Sequence, residues 1–228
     1  MTTYSIRADK VVFTLGVITT VLIVLHVLAM QAYFNGAIGL EERFGLRYWH
    51  VSTLDLDAEE SFGTWFSSGM LLMASVFMFH HCRVLRAQGT EWHRWWLALA
   101  IGFLVLSIDE VVALHELLNT FLEDTSWTVI GFPILVVVGL SFLPFLWALR
   151  WRTGLLFVLA GAIYGGGAVG VEHYSGAEVN SLHYNMLTTL EEGMEMFGVI
   201  LFIYALLDHM RGPSHNSIQV EAGLQGPG

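Results

Sequence analysis

Apolar positions fall in six long runs, at roughly 11–31, 62–81, 95–117, 128–149, 154–173 and 187–207, with polar stretches between them. About 20 apolar residues cross a bilayer core as a helix. None of the runs alternates with the two-residue period of a barrel strand, and an open strand edge cannot be satisfied in lipid. The pattern therefore predicts an all-α fold, a polytopic bundle of six transmembrane helices spanning 1–211. Residues 35–61 form the one long outer loop, read as capping the bundle, and the Gly/Pro-containing stretch 212–228 reads as a disordered cytoplasmic tail.

The basic residues give the orientation. With the N-terminus inside, Arg7, Lys10, Arg83, Arg86, Arg94, Arg150, Arg152 and Arg211 are cytoplasmic and only Arg43 and Arg47 fall outside. Both termini are then cytoplasmic. Trp92, Trp95, Trp96, Trp147 and Trp151 gather at the same inner boundary, as an aromatic belt would. The basic N-terminus precedes an apolar run longer than a signal-peptide core, so it reads as a retained first helix. A bacterial inner membrane is the expected location.

Composition agrees: 55% of the 228 residues are hydrophobic and 13% charged, with a mean hydropathy of +0.60. Cys82 is the single cysteine, which excludes a disulfide framework or thiolate cluster within one chain. The formal charge is −10, and it is not spread evenly. Apart from Asp9, Glu91, Asp208 and Glu221, the acids lie in outer loops or the outer halves of helices. Such a face gives no purchase for nucleic acid. Partners are expected to be membrane lipids, a membrane-protein partner or a second copy of the chain.

Depth can be counted along the helices. A rise of about 1.5 Å per residue puts Asp109 roughly 21 Å up a core of about 30 Å, Glu195 roughly 18 Å, Glu191 roughly 24 Å and His26 roughly 23 Å. Glu172 lies at a comparable level. Thr188, Glu191, Glu192 and Glu195 share one side of the last helix. In the fifth run, Gly161, Gly165, Ala168 and Glu172 share a face, and Gly166 and Gly170 add a second small pair suited to close helix approach. In the third, Asp109, Ala113 and Glu116 share a face, with Glu110 and His115 to either side if the helix stays regular. The fourth run has no ionisable residue before Arg150 and reads as peripheral, kinked at Pro133 and Pro144.

Carboxylates in lipid need protons, water or a cation, and no Lys or Arg occurs in the outer parts of the third, fifth or sixth runs. Carboxylates mixed with imidazoles suit iron, manganese or zinc. The candidates are His26, Asp109, Glu110, His115, Glu116, Glu172, His173, His183, Glu191, Glu192 and Glu195. Among these, His26, Asp109, His115, Glu116, Glu172, Glu191 and Glu195 are the expected metal ligands, and Glu110 and Glu192 the proton-transfer groups. The expected cofactor is one or more divalent ions, a di-iron or di-manganese pair ahead of zinc.

In ingredients the chain resembles carboxylate-bridged di-metal proteins, but it lacks the Glu-x-x-His pairs of ferritin-like bundles. No residue role carries over. Glu60 and Ser67 in EESFGTWFSS, with Asp109-Glu110, are faintly similar to membrane zinc amide hydrolases of the alkaline ceramidase kind. That family's closely spaced final His pair is missing, and His80 and His81 fall at the opposite face.

These residues point to a metal-dependent membrane oxidoreductase or hydrolase acting on a lipid-like or small apolar substrate. Two other readings stay open: a cation or proton translocator using the same acids, and a non-catalytic subunit or assembly factor with the acidic face as docking surface. In their plainest roles, the acids solvate helix ends, His26 packs between helices, and Asp55, Asp57 and Glu60 are loop acids. His80, His81 and His93, beside Arg83, Arg86 and Arg94, read as an interface or a contact with anionic lipid.

Overall fold

The computed structural model describes residues 3–34, 52–115, 117, 126–175, 181–211 and 218–221. The chain is helical over most of that length. Helices α1 (Ala8–Phe34), α2 (Phe62–Ala87), α3 (His93–Val112), α4 (Thr128–Ser141), α5 (Leu143–Ala148) and α6 (Trp151–Gly165) are followed by a π-helical turn (Gly166–Val171), the short α7 (Glu172–Ser175) and the long α8 (Leu182–Arg211). Strands β1 (Thr3–Ile6) and β2 (Ile218–Glu221) pair antiparallel, Thr3 opposite Glu221, and bring the two ends of the chain together. Part of the tail read as disordered is therefore a strand.

Among the described residues, five helical stretches are long and apolar enough to cross a membrane: Ala8–Phe34, Phe62–Ala87, His93–Val112, Thr128–Ala148 and Trp151–Tyr174. The outward side chains of α4 show why it is so apolar, since 132–141 are all exposed. It sits at the periphery, and its end is a break, with Pro144 opening α5 rather than kinking one continuous helix.

The sixth run has a different position. Helix α8 packs against α1, α2, α6 and the π-helical turn, and its C-terminal half lies in the core of the bundle, with Met196, Val199, Ile203, Ala205, Leu206 and Leu207 almost fully buried. A helix surrounded by protein can carry polar residues that a lipid-facing helix cannot. Close approach to α6 depends on two glycines. A Cβ at Gly198 would stand 2.9 Å from the Tyr164 backbone nitrogen, and one at Gly167 would stand 2.7 Å from the Glu191 carbonyl oxygen. The sequence face of Gly161, Gly165 and Ala168 is displaced from this contact. The π-helical turn adds a residue to the repeat and rotates Gly167 into the interface, while Gly161 and Gly170 meet no neighbour.

Helices α2 and α3 are joined by serines. Ser75 Oγ donates to Ala100 O (2.7 Å), Ser68 Oγ to Ser107 O (2.7 Å) and Ser107 Oγ to Ser68 O (2.9 Å). Such short polar groups let helix backbones approach and bond where no water competes. At the arginine-rich end, Trp96 is 1% exposed, so it belongs to the core and not to an aromatic belt. It packs edge-on against Phe145 and Phe157 and is flanked by His81 and His209. His81 therefore points into the bundle rather than at lipid headgroups. Trp147 and Trp151, 82% and 79% exposed, do face outward.

Candidate functional site

The site begins where α3 fails to continue. Ala113 takes a left-handed conformation, φ 48° and ψ 50°, and its N–H closes the helix on Asp109 O at 2.7 Å. The chain turns there and returns His115 to the helix end. Asp109 Oδ1 accepts the His115 backbone N–H at 2.9 Å, and Asp109 Oδ2 lies 3.0 Å from His115 Nδ1. The carboxylate thus fixes the imidazole through Nδ1, the arrangement by which carboxylates orient histidines that act through the opposite nitrogen. Because the helix does not stay regular, Asp109 and His115 act together instead of pointing to separate faces.

Trp127 forms the next wall. Its ring lies 5.1 Å from that of His115, and its Nε1 donates to Glu172 Oε1 at 2.7 Å. Glu172 is held at the top of the π-helical turn. Next to it, His173 Nδ1 is 3.1 Å from Thr128 Oγ1. These bonds tie the start of α4 to the end of the fifth span.

Helix α8 contributes the remaining acids. Glu191 lies within electrostatic reach of Glu172, Asp57 and His115. Glu192 and Glu195 lie within reach of each other, and both reach Glu110 on α3. The phenol of Tyr164 stands beside Glu195. Glu195 is 8% exposed. Among the described residues, the arginine ion pairs are Arg7–Asp9, Arg150–Asp208 and Arg211–Asp9, and none reaches Glu110, Glu191, Glu192 or Glu195. Arg43, Arg47 and Glu116 lie outside the described residues.

His26 has a different environment. It is wholly buried, and its Nδ1 accepts the Leu56 backbone N–H at 3.1 Å while standing 3.5 Å from Asp55 Oδ1. It anchors the stretch 52–61 to the bundle. Among the described residues, the buried His26 Nε2 finds no hydrogen-bond partner. Asp55 is buried rather than an ordinary loop acid, and burial pushes its carboxyl up from the usual value against the attraction of His26. Asp57 accepts a hydrogen bond from the Tyr184 hydroxyl at 3.1 Å, which ties the same stretch to α8 as His26 ties it to α1. Glu60 is exposed and makes no such contact. His183 is likewise exposed.

Among the described residues, no three His, Cys, Asp or Glu side chains converge tightly enough to hold one metal ion. The acids and His115 are neighbours without forming a closed ligand shell. Several contributors carry no sequence signal of their own. Trp127 and Tyr184 look like interfacial aromatics, and Tyr164 looks like one polar position in a small-residue run. Only the spacing of Asp109 and His115 around a helix end could have pointed to their bond, and Ala113 gives no hint of that end.

A family profile described as a domain of unknown function, DUF8692, matches residues 14–210. The chain belongs to this family. The matched segment runs from α1 to the last turn of α8, so the acids of α3, α7 and α8 all lie within the family domain. No curated protein and no solved structure matches the chain.

Proposed function

We propose that the protein is a six-span inner-membrane enzyme with both termini in the cytoplasm and a divalent-metal centre in its outer half. His115, Glu110, Glu172 and Glu191 are the ligands in this reading, Asp109 positions His115, and Glu192 and Glu195 stand behind as proton-transfer groups. The observation that carries the reading is the neighbourhood of Glu110, Glu191, Glu192 and Glu195. They come from α3 and α8 into one region, Glu195 buried and the others half-buried, and no lysine or arginine pairs with them among the described residues. Unpaired charge at that depth is costly, and a cation is the compensation that also gives it a use. Carboxylate side chains sweep several ångströms by changing rotamer, so neighbours that do not yet converge can close around an ion.

An oxygen-rich set with one imidazole suits iron or manganese ahead of zinc. When bound, an ion of this kind would supply Lewis-acid activation of water or of a substrate oxygen. Glu192, behind the ligands, would be the group that accepts a proton.

A proton-translocating reading has one observation in its favour. Among the described residues, buried polar atoms without partners occur along the length of the bundle, at His26 Nε2, Thr19 Oγ1, Thr153 Oγ1, His81 Nε2 and His209 Nδ1. Elemental analysis of the full-length protein, purified in mild detergent without chelator, separates the two. The metal reading expects close to stoichiometric iron or manganese in the native protein and a drop of about tenfold or more in Glu191→Gln, as loss of a charged ligand would give. Metal-free native protein that supports proton flux in vesicles would replace it with the relay.

A further inference from the structure

Between α4 and the π-helical turn runs a groove of about 320 Å³, open on its outer side. Phe132, Pro133, Val169 and Gly170 make it apolar along most of its length, and Thr128 and His173, bonded to each other at 3.1 Å, make one end polar. Gly170 leaves the floor clear, since a Cβ there would meet nothing within 4 Å. The π-helical turn shapes this wall, a common use of π-bulges at functional positions. The polar end adjoins the candidate centre directly: Trp127 precedes Thr128 and donates to Glu172, which precedes His173, and its ring borders His115.

The groove lies on helices apolar enough to be embedded, Thr128–Ala148 and Trp151–Tyr174, and near their ends on the side of the acids. A molecule reaching it comes sideways from the bilayer. Its volume is at the small end of ligand pockets, which run from about 300 to 1,000 Å³, so it holds one chain and not a whole diacyl lipid. We propose that this groove admits a single alkyl chain of an outer-leaflet lipid, with the lipid's ester or hydroxyl oxygen placed at Thr128 and His173, against the edge of the metal centre. The assignment rests on the enzyme reading above and gives its substrate class: a lipid bearing a hydrogen-bonding oxygen near the head of an unbranched chain.

The test uses full-length protein in phosphatidylglycerol vesicles containing a trace of phosphatidylglycerol with a diazirine in its acyl chain. After illumination, labelled peptides are mapped by mass spectrometry. Label concentrates within 128–133 and 169–174, and Gly170→Phe, which fills the groove without a clash at Cβ, cuts it about tenfold. Gly161→Phe, at an equally open glycine on α6, leaves the label in place. Label spread evenly along the exposed 134–140 face, absent from the groove, or unchanged in Gly170→Phe overturns the proposal. Metal is measured in the same samples. Metal-free protein that still labels at the groove removes the centre and leaves the lipid site standing.

Discussion

The two halves of α8 are one continuous helix in two kinds of surroundings. From Met196 to Leu207 it is packed into the core, with Phe202 stacked on Phe157 at 4.3 Å and tilted against Phe103 at 4.3 Å. From Asn185 to Glu195 it shows Thr188, Glu191, Glu192 and Glu195 to its neighbours, and packs closely where Gly166, Gly167 and Gly193 permit. Burial of apolar surface stabilises the C-terminal half at roughly 25 cal/mol per Å². The N-terminal half gains little from burial and bears the cost of desolvated carboxyls. Core packing and the candidate site are thus divided along the helix axis, and the proposed centre predicts that each half can be perturbed by itself.

The largest effect is expected where α3 packs against the C-terminal end of α8. Trp96→Ala empties the volume shared by Phe145, Phe157 and His209 and costs about 3–5 kcal/mol. Thermal unfolding in detergent should show the loss, while the folded fraction holds the proposed metal as wild type does. A folded fraction stripped of metal would mean that the two halves are not separable. Next, Gly167→Leu forces a side chain against the Glu191 carbonyl and costs about 1–3 kcal/mol by overpacking. Here metal content falls with stability, because the clash lies at the acids, and Gly161→Leu serves as the silent partner.

Smaller effects sharpen the picture around the candidate site. Ala113→Gly relieves a left-handed residue and should raise stability by about 0.5–1 kcal/mol, the relief exceeding the added chain entropy. The Asp109–His115 bond would persist, visible as an unchanged imidazole NMR signal. The smallest is a pH effect at Asp55. Its folded pKa is raised above the ordinary 3.8 by burial, so ionisation opposes docking of 52–61. That cost is absent below the unfolded value and grows as pH rises toward the folded one. Hydrogen exchange at the Leu56 amide should therefore slow on acidification across this interval, and Asp55→Asn should remove the Asp55 part of the slope. Equal slopes in both proteins would assign the effect elsewhere.

The sequence located the helices because lipid leaves few alternatives to them, and run boundaries such as 62–81 fall inside the observed Phe62–Ala87. Depth counting grouped His26, Asp109, Glu172, Glu191 and Glu195, and of these Glu172, Glu191 and Glu195 lie within electrostatic reach of one another. What periodicity could not supply were the departures from regular helix. An alanine at φ 48° ends α3, where a glycine would have signalled the stop. A π-helical turn shifts the glycine face of the fifth span by one position. Depth likewise grouped His26 with the acids, whereas its Nδ1 is taken by Leu56, a partner thirty residues along the chain. The serine bonds between α2 and α3 were equally silent, because short hydroxyls in an apolar run read as mere interruptions.

A manganese titration tests the central claim most directly. The full-length protein, stripped with chelator and returned to detergent buffer, is melted with and without Mn²⁺ for wild type, Glu191→Gln and, as an inner-end control, Asp208→Asn. An ion present at about 100 times its dissociation constant stabilises the folded state by about 2.7 kcal/mol, so the melting temperature should rise in wild type and Asp208→Asn and stay flat in Glu191→Gln. No rise in wild type, or the same rise in Glu191→Gln, would contradict a metal centre among these acids.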